Sequence, residues 1–204
     1  MDTKLFSQYG LEPWIGSAYK ESNPKILAIG ESRYDDNPTW TDRNIIQYSA
    51  DGKRDKTFTN FIQAVTGFHN SEGAYDAVSF WKKISFYNYN REAYPGGPRI
   101  PLHDGDRLAQ VNQICLRIML EALSPTHCIV WGKKNWCFIK PDKWEWTETK
   151  SIPGDISNFE YCSASRDGNH VLFTYINHPS TAFPSLKWYP QINRFLQLME
   201  FTSE

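Results

Sequence analysis

The sequence predicts an α/β fold, a three-layer α/β/α sandwich around a central, mainly parallel four-stranded sheet. Two observations carry that expectation. Four short apolar runs, each bounded by turn residues, read as strands buried on both faces. Stretches with apolar residues at helical spacing lie between them, and strands that alternate with helices build parallel sheets covered on both sides.

The first run is Pro24-Lys25-Ile26-Leu27-Ala28-Ile29-Gly30, opened by proline and closed by glycine. Phe58 to Val65 then places apolar residues at 58, 61, 62 and 65, the period of a helix. Ile84 to Asn88 is the next strand. Arg107 to Leu123 is the clearest helix, with Leu108, Val111, Ile114, Cys115, Ile118, Met119 and Ala122 forming one broad stripe, and Ser124-Pro125 ends it. His127 to Gly132 is a strand. Trp144 to Ser163 alternates in polarity around Pro153-Gly154 and reads as a small inserted β-hairpin. Val171 to Ile176 is the last strand, and Tyr189 to Met199 the last helix, with Pro190 suited to its first turn.

The 204 residues suit one domain spanning 1–204, long enough to bury a core without a disulfide or a metal. With 40% hydrophobic and 22% charged residues, disorder is excluded. A net charge of −1 gives no global basic field, so any nucleic-acid site must rest on a local patch. The local basic residues are Lys53, Arg54, Lys56, Arg91, Arg99, Lys133 and Lys134. The aromatic content of 15% serves a core and can also supply platforms for stacking bases. The four cysteines form no Cys-x-x-Cys pair, so neither a zinc site nor a disulfide framework is expected, and Cys128 belongs to the core. No apolar run approaches the roughly 20 residues of a membrane span. The opening "MDTKLFSQYG" has no apolar signal region. The expectation is a cytoplasmic monomer that binds no membrane and holds no cofactor or metal.

Ligands of parallel sheets bind in the crevice beyond the carboxyl ends of the strands. Unexpected polar residues stand at those ends: Glu31, Asn88, Lys133 and His178. The first strand is not followed by Gly-x-Gly-x-x-Gly, which argues against a dinucleotide.

Taken in order, "KILAIGESRY", "FYNYNREAYPGGPRIP", "LSPTHCIVWGKKNW" and "VLFTYINHPSTAF" resemble the motifs of the uracil-DNA glycosylase superfamily. Gly30-Glu31 is most like the branch whose first motif reads Gly-Glu-Ala-Pro-Gly, and the likeness spans Lys25 to Leu196. It implies a uracil-DNA glycosylase-like fold, a double- or single-stranded DNA partner, and removal of a flipped uracil or modified pyrimidine. Ser32 occupies the place where relatives carry a water-positioning Asp, and Thr181-Ala182 follows His-Pro-Ser where proline is usual. The cysteines that hold an iron–sulfur cluster in that branch have no N-terminal pair here, so no cluster is expected. Those departures point to an atypical base, for example a modified one in phage DNA.

The chemistry explains why such residues would be wanted. Breaking an N-glycosidic bond puts negative charge on a base held outside the stack, and fixed donors stabilise that charge. His178, followed by Pro179, is such a donor at a rigid strand end, and its bland alternative is a histidine in a surface turn. Asn88 offers an acceptor and two donors for reading a pyrimidine edge, with Asn90 as its competitor and a strand cap as its bland alternative. Glu31 either orients water or faces the sugar cation, or is simply an exposed turn acid. Gly30 lets the backbone approach a ligand. With Ser32 and Asn177 it lines the substrate side, where Tyr34 would exclude bulky bases and Phe58 would stack on the base, unless Phe58 is a core residue. Lys133, Ser180, Thr181 and Arg99 are candidates for phosphate contact. Phe183, Leu186 and Trp188 either wedge into the vacated stack or dock the last helix.

Two rivals stand beside this reading. Asp142, Glu148 and Lys150 are reminiscent of a metal-dependent PD-(D/E)xK nuclease with an unusually short gap. A non-catalytic nucleic-acid or nucleotide binder of the same fold is the other.

Overall fold

The computed structural model describes residues 3–32, 41–68, 76–90, 110–139, 143–156, 159–180 and 183–198. Along the chain these form α1 (Thr3–Gln8), β1 (Trp14–Ile15), β2 (Ile26–Gly30), α2 (Asp42–Ala50), α3 (Lys56–Thr66), α4 (Ala77–Lys83), β3 (Ile84–Asn88), α5 (Gln110–Leu123), β4 (His127–Trp131), α6 (Lys133–Phe138), β5 (Glu145–Trp146), β6 (Lys150–Ser151), β7 (Glu160–Arg166), β8 (Asn169–Ile176) and α7 (Ser185–Leu196).

The four apolar runs form the parallel centre of the sheet, in the order β3-β2-β4-β8. Every residue of β2, β3 and β4 is buried, as their unbroken apolar character requires. Alternate side chains go to opposite faces. Ile26 and Ala28 pack under α2, α3, α4 and α7, while Leu27 and Ile29 pack with α1 and α5.

The sheet has eight strands rather than the four expected, and it is mixed. β1 adds antiparallel to β3 at one edge. At the other edge β7 pairs antiparallel with β8, and β5 and β6 pair with β7. The segment expected to be an inserted hairpin therefore continues the main sheet. Its two arms pair antiparallel, β5 and β6 against β7, and are joined through Pro153-Gly154 as expected. A second turn at Asp167-Gly168, where both residues have positive φ (50° and 78°), joins β7 to β8. Asp-Gly in that conformation matches the right-handed twist of the two strands it joins.

Two helices also differ from expectation. In α5 the buried face carries Cys115, Ile118 and Met119 of the expected stripe together with Asn112, Leu116, Leu120 and Leu123, while Val111 is exposed. The true stripe is rotated because Leu116 and Leu120, omitted from the expected one, lie at helical spacing from Asn112 and Leu123. The last helix begins at Ser185, four residues before Tyr189, so Pro190 sits inside it. Proline there deprives the Leu186 carbonyl of its intrahelical partner, and Leu186 is exposed to water.

Local chemistry starts the helices that frame the site. Thr41 caps α2 by accepting from the Asn44 N–H (3.3 Å). Asp55 caps α3 by accepting from the N–H groups of Thr57 (2.8 Å) and Phe58 (3.3 Å). All four cysteines are free, and Cys128 is fully buried. Among the described residues no helix is long and apolar enough to cross a membrane.

His127 opens β4 beneath α7, edge-on to Phe195 at 5.0 Å. Burial pushes its pKa down to about 4. The carbonyls of Phe195 and Leu198 favour the charged form in part, although neither makes a well-formed hydrogen bond to Nε2. The unfolded chain therefore takes up a proton near pH 6.5 that the native state refuses until about pH 4. Stability is complete above that window and falls as the pH drops through it, by roughly 1.4 kcal/mol per unit. Urea unfolding should show His127→Phe losing about 2 kcal/mol less than the wild type between pH 6.5 and 5; equal losses would disprove the assignment.

Candidate functional site

β3 lies on one side of β2 and β4 on the other. The chain thus reverses direction across the sheet between β2 and β4, and their carboxyl ends flank the crevice where such sheets take ligands. The register keeps the four ends level, because Gly30 pairs with Asn88 and Trp131 pairs with Ile176. The crevice holds Gly30 and Trp131 at its centre, Asn88 on one side and His178 on the other. β3 and β8 are three strand spacings apart, about 14 Å.

Asn88 is 5% exposed. Its main-chain N–H donates to Asp42 Oδ2 (3.1 Å), and its side-chain Nδ2 donates to Asp42 Oδ1 (2.8 Å). A carboxylate only accepts, so the amide edge facing Asp42 must be the nitrogen. Oδ1 lies over Gly30, where an added Cβ would strike both Oδ1 and the Phe86 ring. Glycine here is a steric requirement of the site. The competitor Asn90 is fully engaged in holding the neighbouring turn. Its N–H and Nδ2 both donate to the Glu31 carbonyl (3.0 and 2.7 Å), and its Oδ1 accepts from Asn112 Nδ2 (3.2 Å).

His178 stands just past β8, edge-on to Trp131 at 5.9 Å. Its Nδ1 accepts from the Ser180 main-chain N–H (3.3 Å) and lies 2.8 Å from Ser180 Oγ. A main-chain N–H can only donate, so in the neutral ring Nδ1 is bare and Nε2 carries the proton. The Pro179 carbonyl, held by Asn60 Nδ2 from α3 (2.7 Å), fixes the turn. Burial lowers the His178 pKa, and the Glu31 carboxylate raises it in part. The ring is thus a neutral donor at neutral pH, within electrostatic reach of an acid.

Beneath these groups lies an aromatic floor. Trp131 packs on Phe61 (4.9 Å), Phe86 (5.1 Å) and Phe58 (6.0 Å). Phe58 is 8% exposed, and its ring also meets Trp81 edge-on at 5.9 Å. It sits in the cluster that supports Trp131. The indole N–H of Trp131 is buried without a partner among the described residues, as is Oδ1 of Asn135, whose Nδ2 donates to the Gly30 carbonyl (3.3 Å). Buried polar groups are rarely left unpaired, and such orphans beside a crevice suit a site that a polar ligand completes.

Ser32 is buried beside this turn, whereas Asn177, Ser180 and Lys133 are exposed around the rim. Phe183 and Trp188 stack face to face at 5.6 Å and dock α7, which leaves Leu186 alone exposed among the wedge candidates. Tyr34, Arg99 and Thr181 lie outside the described residues, as does Asp142 of the nuclease-like pattern. Glu148 and Lys150 are exposed at the far edge of the sheet, beyond β8 and β7. Among the described residues no group of three or more His, Cys, Asp or Glu could hold a metal. A cavity of about 450 Å³ opens at the opposite, amino-terminal end of the strands, against Ile26 and Ile84. It is remote from these groups, and the chemistry rather than the volume identifies the site.

Asp42, Asn60, Trp131 and Asn135 were not singled out in the sequence. Thr41-Asp42 carries the signature of a helix start, but nothing local links it to Asn88, 46 residues away. No protein-family model matches this chain, and no curated protein is significantly similar to it.

Proposed function

We propose that the protein is a DNA glycosylase-like hydrolase that cleaves the N-glycosidic bond of a flipped uracil or modified pyrimidine. One observation carries the reading. A fixed acceptor, Asn88 Oδ1, and a fixed donor, His178 Nε2–H, flank the switch point of a parallel sheet above an aromatic floor. A pyrimidine presents the complementary groups, a ring N–H on one edge and a carbonyl oxygen on another.

In the reaction the bond between C1′ and the ring nitrogen breaks, and its electron pair leaves on the base. A water oxygen then bonds to C1′, and the proton that the water gives up ends on the departed base. The His178 Nε2–H donates to the base carbonyl oxygen on which the charge grows, and it needs no reorganisation to do so. Glu31, within electrostatic reach of His178, would orient the water or face the sugar cation. Lys133 and Ser180 lie where they would meet phosphates of the flanking strand.

Free base should appear by mass spectrometry when the protein is incubated with DNAs carrying uracil or modified pyrimidines, and a chelator should leave the yield unchanged. Release that a chelator abolishes would favour metal chemistry instead. Serine rather than a carboxylate at position 32, where the resemblance expects a water-positioning acid, favours a second reading, a binder of the same fold that does no chemistry. Tight binding of these DNAs with no free base from any of them is its expected signature.

A further inference from the structure

We infer that Asp42 is a positioning residue that sets which edge of a base the crevice accepts. This inference rests on the proposed role of Asn88 and adds what fixes that role. Asp42 is 2% exposed and opens α2, yet the cap of α2 is supplied by Thr41. Its carboxylate instead reaches across to the end of β3 and takes both the main-chain N–H and Nδ2 of Asn88. An Asn side chain is close to symmetric in shape and can present either edge, so only its partners choose between them.

Here the choice is made from both sides. Asp42 accepts only, which draws the nitrogen toward α2. Gly30 leaves room for the oxygen on the crevice side. Among the described residues, that Oδ1 has no hydrogen-bond partner. The crevice therefore offers an acceptor at this point and takes a ring that carries an N–H donor there. A ring with a bare nitrogen in the same place would set two acceptors against each other. Uracil and its 5-substituted relatives are of the first kind, and cytosine is of the second.

The test is the binding of free uracil and free cytosine to the wild type and to Asp42→Asn, followed by NMR titration. The Asn88 main-chain N–H can only donate, so an asparagine at 42 turns its oxygen to that N–H and its Nδ2 to the Asn88 side chain, which then presents Nδ2 rather than Oδ1 to the crevice. The wild type is expected to prefer uracil by at least about tenfold, and the variant to lose or reverse that preference. A folded Asp42→Asn that keeps the preference overturns the inference, and so does a wild type with no preference.

Should the variant fail to fold, the wild type decides alone. At least one Asn88 Nδ2 proton should exchange slowly with solvent, and rapid exchange of both overturns the clamp. Base release from DNA is scored separately. Uracil preference without release would end the hydrolase reading and leave the role of Asp42 standing. Release with unchanged selectivity in Asp42→Asn would do the reverse.

Discussion

His178→Ala is expected to lower the rate of base release about 10²–10³-fold while leaving DNA affinity nearly unchanged. Removing one preorganised donor aimed at developing charge has an effect of that size, because the interaction strengthens only as the bond breaks. The donor is preorganised by two independent constraints. The Ser180 main-chain N–H puts the proton on Nε2, and Asn60 holds the Pro179 carbonyl. Single-turnover measurements with a fluorescent DNA separate the two effects. A His178→Ala variant that releases base as fast as the wild type would remove this residue from the proposed mechanism.

The pH profile offers a second check on the same side chain. Burial lowers the His178 pKa, so the acid limb of the profile should lie below the usual histidine value of about 6.5. The Glu31 carboxylate opposes that shift. Its removal in Glu31→Gln should move the limb to still lower pH. Movement to higher pH would contradict the electrostatic sign.

Gly30→Ala is expected to damage both fold and site. The new methyl group would sit 2.8 Å from the Phe86 ring and closer still to Asn88 Oδ1. Neither neighbour can yield easily. Phe86 is 2% exposed and wedged against Trp131 and Trp81, while Asn88 is held by two hydrogen bonds to Asp42. Overpacking of this kind costs about 1–3 kcal/mol. For a chain of this size that lowers Tm by about 2–4 °C per kcal/mol. Loss of base release should exceed what the stability loss explains, since the amide must swing away from the crevice. A variant with wild-type Tm and activity would show that Asn88 does not lie over Gly30.

The centre of this fold was legible because its signal is local. Strands buried on both faces must be apolar throughout, so Ile26–Gly30, Ile84–Asn88 and His127–Trp131 stand out from any neighbouring sequence. The edges were harder. β7 is only partly buried, and its pairing with β8 across Asp167-Gly168 was not singled out in the sequence. In α5 Cys115, Ile118 and Met119 face the core as expected, but Val111 is apolar yet exposed, because periodicity counts residues without knowing what covers them.

The sequence by itself determined that polar side chains would stand at the carboxyl ends of buried parallel strands. It did so because an apolar run that stops at Glu, Asn or His leaves those groups where the strand leaves the core. Only the tertiary structure decided their chemistry. The order β3-β2-β4-β8 put Asn88 and His178 on opposite sides of one crevice. A carboxylate from α2 chose the edge that Asn88 presents, and one main-chain N–H chose the nitrogen of His178 that carries the proton. Hydrogen bonds between residues far apart in the chain leave no periodic trace in it. The polar residues at such strand ends can therefore be read from the sequence before the direction of their donors and acceptors can.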